Sequence, residues 1–173
     1  SSSLAILVAG GSGIAVAWPL LNFLLAVPVD DPSQTRIVPP HKKIVLIWIV
    51  HSRLHESWLP KQAIEDVRAA GGGGGGLNGQ AKVEVEVIIP QPTEEVGRPD
   101  LRGLIKGAVV RGRSGTGSEN EGKGKRERER EKRKYKVGVV ASGPESMARG
   151  VRNTVAGGGG VGVQVGGLYR HGG

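Results

Sequence analysis

The feature that most constrains this chain is its opening: from Leu4 to Val29 there is no charged residue. A stretch of that length invites a membrane-spanning helix, which needs roughly 20 consecutive apolar residues. Here the run is cut by Gly10-Gly11-Ser12-Gly13, and its second half is punctuated by Pro19 and Pro28. Neither half spans alone. Leu4 to Ala9 has the length of a strand, and Ile14 to about Val27 that of a helix opened by a glycine turn. A strand inside a parallel sheet is apolar on both faces, and a helix lying on such a sheet is apolar over much of its surface. The pattern therefore predicts strand, turn and helix rather than a span.

The same alternation recurs. Lys43 to Val50 reads as a second buried strand, followed by a helix from about His55 to Ala70 with Trp58, Leu59, Gln62, Ala63 and Val67 at three- and four-residue intervals. A glycine-rich loop at 71–80 ends that helix. Ala81 to Ile89 alternates Val and Ile with Lys82, Glu84 and Glu86, a period of two that predicts an edge strand with one wetter face. A short helix over Pro99 to Val110, a fourth strand over Val137 to Ala141, a helix over Glu145 to Ala156 and a fifth strand over Val161 to Val165 complete the series. This is the grammar of a single doubly wound, Rossmann-like α/β domain. The expected sheet is parallel and five-stranded, in the order 3-2-1-4-5, with helices on both faces. Residues 111–134 interrupt it as a disordered, low-complexity charged insertion.

Composition narrows the chemistry. There is no Cys, so disulfides, thiolate metal sites, iron–sulfur clusters and a Cys nucleophile are excluded. The net charge of +8 is concentrated between Glu121 and Lys136, where nine Lys or Arg accompany four Glu. A nucleic-acid surface calls for a basic face interleaved with aromatics. This run has only Tyr135 beside it and reads as a solvated insertion, so no nucleic-acid partner is expected, although a basic interaction protein is an alternative. The chain opens on Ser rather than Met, which reads as a fragment or a processed product.

In doubly wound sheets ligands sit outside the carboxyl ends of strands where strand order reverses. Two glycine-bearing turns, Gly10-Gly11-Ser12-Gly13 after strand one and Ser142-Gly143-Pro144 after strand four, should therefore lie side by side. A glycine turn feeding a helix lets backbone N–H groups approach a diphosphate, although the same turn also serves plain tight packing. A nucleophile elbow around Ser12 fails because Ile14 stands where Gly is required, and Gly117 to Gly124 lacks the Ser or Thr of a P-loop and has no strand leading into it. His51 and His55 share a four-residue spacing but lack the Glu of a metalloprotease, so no metal site is expected. After Val50 come His51, Ser52 and Arg53 with no carboxylate, which favours a 2′-phosphate over a free ribose hydroxyl and hence NADPH over NADH. Arg53 would contact that phosphate and Ser52 hydrogen-bond it; the alternative is a solvated loop arginine.

Leu7-Val8-Ala9-Gly10-Gly11-Ser12-Gly13-Ile14-Ala15, Pro19-Leu20-Leu21, Val45-Leu46-Ile47-Trp48-Ile49-Val50, Gly97-Arg98-Pro99-Asp100-Leu101 and Val139-Val140-Ala141-Ser142-Gly143-Pro144 stand in the order of a known family. Together they resemble the NADPH-binding domain of fungal ferric reductases, a domain of the ferredoxin-NADP reductase superfamily shared with NADPH oxidases. The resemblance covers nearly the whole chain outside the glycine runs and the insertion. It implies a membrane flavocytochrome in which NADPH reduces FAD by hydride transfer and electrons pass through haem b to ferric chelates. An FAD-binding barrel and a haem-bearing transmembrane domain would be the partners, with this soluble domain on the cytosolic face of the plasma membrane and no metal bound directly by it.

By the same resemblance Gly10, Gly11, Ser12, Gly13 and Ile14 would hold the pyrophosphate and nicotinamide side, and Ser142, Gly143 and Pro144 would close over the nicotinamide. His51, Ser52 and Arg53 would face the adenosine end, with Arg98 and Asp100 nearby. No side-chain acid or base is expected, because the cofactors carry the chemistry. The chain departs from the family in having His51 where Arg is frequent, Ser142 where Cys is frequent, and only Tyr169 near its end in place of an acidic and aromatic segment. An oxidase passing electrons to oxygen and a degenerate, non-catalytic nucleotide-binding fragment are the alternatives. Gly13→Val is expected to obstruct cofactor with little damage to the fold, and Arg53→Ala to weaken NADPH more than NADH.

Overall fold

The computed structural model describes residues 3–26, 43–72, 83–114, 136–157 and 163–167. Its elements, in chain order, are β1 (Ser3–Gly10), a 3₁₀ turn (Gly11–Gly13), α1 (Ile14–Ala26), β2 (Lys43–Ile49), α2 (Arg53–Glu56), α3 (Lys61–Gly72), β3 (Glu84–Ile88), α4 (Thr93–Val96), α5 (Leu101–Ser114), β4 (Lys136–Ser142), α6 (Glu145–Ala156) and β5 (Val163–Gly167). The strands run parallel. β3, β2, β1 and β4 lie side by side in that order, and β5 pairs along the other edge of β4. The parallel α/β class expected from the alternation of strands and helices is observed.

Burial explains why β1 from Leu4 to Ala9 and β2 from Ile44 to Trp48 are apolar without a break. Along β1, Ala5, Leu7 and Ala9 face α1 and α3, while Leu4, Ile6 and Val8 face α5 and α6. β2 divides likewise, with Ile44, Leu46 and Trp48 on the first face and Val45 and Ile47 on the second. Each of the four longer helices contributes a stripe at helical spacing: Ile14, Ala17 and Leu21 from α1, Ile64 and Val67 from α3, Ile105 and Ala108 from α5, and Met147, Val151 and Val155 from α6. Leu4, Ile6, Leu46 and Trp48 are among the large side chains that are fully buried, each contributing about 1.5–3 kcal/mol of transfer free energy.

The expected helix over 55–70 is instead two helices, α2 and α3, separated at Ser57–Pro60. Pro60 disfavours helical geometry at Leu59 and starts α3 by accepting a hydrogen bond from Ile64 N at 3.3 Å. Trp58 is consequently exposed while Leu59 turns into the core. Arg111 to Ser114, expected in the charged insertion, form the last turn of α5. Gly71 and Gly72, expected in the glycine loop, close α3, and α4 is an element that no sequence signal announced. The rest of the glycine loop, the insertion from 115 on, the P-loop-like Gly117 to Gly124 and Tyr169 lie outside the described residues.

A charged network closes the amino end of the sheet. Lys43, at the start of β2 and buried, lies 2.7 Å from Glu84 and 3.3 Å from Glu86 on β3, and Glu86 also meets Arg111 of α5 at 2.9 Å. Burial pulls the Lys43 pKa down, but hydrogen bonds and charge from the two glutamates outweigh it and leave the ammonium above its ordinary value.

Candidate functional site

The carboxyl ends of β1 and β4 adjoin, so the turns that leave them must share one rim. They are in direct contact. A Cβ placed on Gly13 would overlap the carbonyl of Ser142, and one placed on Gly143 would come within 3.0 Å of the Gly10 backbone. Gly143 also has φ of +148°, a conformation that L side chains rarely adopt. Gly10 packs under α6, where a Cβ would come within 2.7 Å of Met147 Sδ and 3.1 Å of Pro144 Cδ.

Within the first turn the residues divide by direction. Gly10, Gly13 and Ile14 are buried and Gly11 is half-buried, and the Ile14 side chain belongs to the core beneath α1. Ser12 is exposed, and a Cβ on Gly11, at φ of +51°, would meet open space. The outward part of the turn is thus Gly11 and Ser12. Gly13 is a packing glycine, which corrects the expectation that Gly13→Val would spare the fold: any side chain there forces the two turns apart. On the facing turn Ser142 is half-buried and Gly143 and Pro144 are exposed.

Trp48, for which the sequence suggested only a place in a buried strand, fixes the turn from below. Its indole is 1% exposed and donates from Nε1 to the Gly11 carbonyl at 3.1 Å. The same carbonyl accepts from Ile14 N as the helical run begins. A lone Trp in an otherwise aliphatic strand was the available signal, since a buried indole N–H needs an acceptor.

Neither helix that starts at this rim is capped by a side chain: Gly10 precedes the 3₁₀ turn that leads into α1, and Pro144 precedes α6. The first amides of a helix have no intrahelical acceptor, and the helix dipole places partial positive charge there. The first turn of α6 carries Glu145, paired with Arg149 at 3.1 Å, so the end suited to an anion is the one opened by Gly11 and Ser12, which can admit a diphosphate without a Cβ in its path over Gly11.

No protein-family model matches this chain, and no curated protein matches it. The residues themselves therefore carry the functional argument.

The end of β2 forms a second cluster. Ser52 caps α2, its Oγ accepting from Leu54 N at 3.4 Å, and His51 Nδ1 lies 3.0 Å from Thr93 Oγ1. Arg53 is paired with Glu95 of α4, Nε donating to Oε1 at 2.6 Å and Nη2 to Oε2 at 3.0 Å. The pairing raises the Arg53 pKa, and the guanidinium holds the Glu95 carboxyl below the usual range. The three residues after β2 carry no carboxylate of their own, but α4 brings Glu95 to them from 42 positions away. Asp100 accepts from Gly103 N at 3.0 Å and so caps α5, while Arg98 is exposed.

His51 and His55 have ring centroids 6.4 Å apart, and no group of three or more metal-ligating side chains occurs among the described residues. No helix among those residues is long and apolar enough to cross a membrane. Between α1 and the turn after α2 an open groove of about 310 Å³ runs from Ser12 past Ala15 and Trp18 to Trp58.

Proposed function

We propose that this chain is the NADPH-binding domain of a reductase of the ferric-chelate type. Its fold would be the doubly wound, Rossmann-like one, with five parallel strands in the order 3-2-1-4-5. The observation that carries the proposal is the meeting of two uncapped helix starts, through Gly13 against Ser142 and Gly143 against Gly10, at the point where strand order reverses. The family resemblance of the five sequence motifs supports the choice of ligand.

On this reading the backbone at Gly11 and Ser12 receives the diphosphate, the open space over Gly11 allowing close approach. Ser142, Gly143 and Pro144 border the nicotinamide side. When bound, NADPH supplies a hydride for FAD, and this chain's own task is to fix distance and orientation and to exclude water from the rim. FAD and haem b, in a barrel and a membrane domain of a larger protein, would be the partners, with this domain at the cytosolic face of the plasma membrane. The acceptor beyond haem, ferric chelate or oxygen, would be chosen by those parts.

The test is calorimetric titration of the chain with NADPH, beside Ser12→Asp, which sets a carboxylate at the uncapped helix start. Binding that weakens about tenfold or more in the variant, through charge repulsion at the helix end, is the expected result. No heat at millimolar NADPH for the folded wild-type chain would reject the reading in favour of a degenerate fragment.

A further inference from the structure

Arg53 and Glu95 stand 42 residues apart, yet they are joined in the two-pronged geometry that a guanidinium otherwise offers to a phosphate. Both side chains face outward, 73% and 36% exposed, so a ligand at the end of β2 can reach either. The carboxylate is held there by its backbone. Thr93 N donates to Val50 O and Glu94 N to His51 O, both at 3.0 Å, and Thr93 Oγ1 meets His51 Nδ1, so α4 is pinned across the end of β2. Glu95 N donates in turn to Pro92 O at 3.0 Å. Glu95 is thus presented to Arg53 by a fixed turn.

For a ribose at this position the consequences are opposite for the two dinucleotides. A 2′-phosphate must displace the carboxylate from Arg53 and then lie beside it, whereas a 2′-hydroxyl can donate to a carboxylate oxygen and leave the ion pair standing. We propose that Glu95 is the selectivity residue at the end of β2: by occupying Arg53 it cancels the preference for a 2′-phosphate, so that the domain takes NADH about as well as NADPH. This inference rests on the dinucleotide-binding reading and refines its ligand.

The experiment is calorimetric titration of the full chain with NADPH and with NADH, for wild type, Glu95→Gln and the double variant Glu95→Gln with Arg53→Ala, each checked for unchanged folding by circular dichroism. The wild-type affinities are expected to lie within about threefold of one another. Glu95→Gln should tighten NADPH about tenfold while NADH stays level or weakens, and the double variant should lose that gain. A wild type that already prefers NADPH by more than about tenfold overturns the inference. So does an affinity ratio in Glu95→Gln that is unchanged or lowered, and in both cases the dinucleotide-binding reading stands. Heat from neither cofactor in any of the folded proteins overturns both.

Discussion

Replacing Gly13 with Ala tests the contact on which the rim depends. The new Cβ would stand 2.5 Å from the Ser142 carbonyl carbon and 3.1 Å from Gly143 N, against an ordinary contact distance of about 3.4–4 Å. The Ser142 carbonyl oxygen is nearer still, so one turn must withdraw by more than about 1 Å, and because the obstacle is backbone at the end of a strand no side-chain rotation relieves it. Overpacking of this kind costs about 1–3 kcal/mol, against a gain of about 0.4–1 kcal/mol from the less flexible unfolded chain. For a chain of this size each kcal/mol moves the melting temperature by about 2–4 °C, so a net loss of about 1–2 kcal/mol should lower it by roughly 2–8 °C. Gly138→Ala is the control. It lies in β4 with nothing within 4 Å of its Cβ, and there the same substitution should be neutral or slightly stabilising. Thermal melts followed by circular dichroism, with urea midpoints on the same proteins, decide the matter. If Gly13→Ala melts with or above the wild type, the two turns do not touch and the rim does not exist.

Two further outcomes rest on buried polar contacts. Trp48→Phe retains a buried ring but leaves the Gly11 carbonyl without its indole donor, and should cost about 1–3 kcal/mol in urea unfolding, whereas Trp58→Phe at a half-exposed site should change almost nothing. Equal effects from the two would remove Trp48 from its role under the turn. Lys43 has a raised folded-state pKa, so its stabilising contribution is complete below the ordinary lysine value and is lost as pH rises through the higher folded-state value. Urea midpoints across the alkaline range should converge for wild type and Lys43→Met as pH rises, with the wild type ahead at neutral pH by about 1–3 kcal/mol; parallel curves would mean that the Lys43 charge does not matter.

Legibility in the sequence tracks the physical range of each interaction. The runs of Leu4 to Ala9 and Lys43 to Val50 announce strands buried on both faces, and Glu145 to Ala156 coincides with α6 residue for residue. The adjacency of the turns after β1 and β4 is also inferable, since right-handed crossovers in a parallel sheet leave few places for those strands to go. The helix after β2 is misread from sequence because the apolar spacing of Trp58, Leu59 and Val67 outweighs Pro60, whose local steric effect divides it. α4 is a single turn with neither an apolar stripe nor a side-chain cap at its Pro92 start, so periodicity has nothing to report.

Sequence alone thus determined the α/β class, the glycine turns at 10–13 and 142–144 and the absence of any thiol chemistry, because hydrophobic period, glycine and cysteine content are local properties of the chain. Only the tertiary structure decided that Gly13 serves packing while Gly11 and Ser12 face outward, that Trp48 holds the first turn, and that Glu95 meets Arg53. Those depend on contacts between residues 37 to 130 positions apart, whose directions are set by strand register and by the angle at which each helix leaves the sheet.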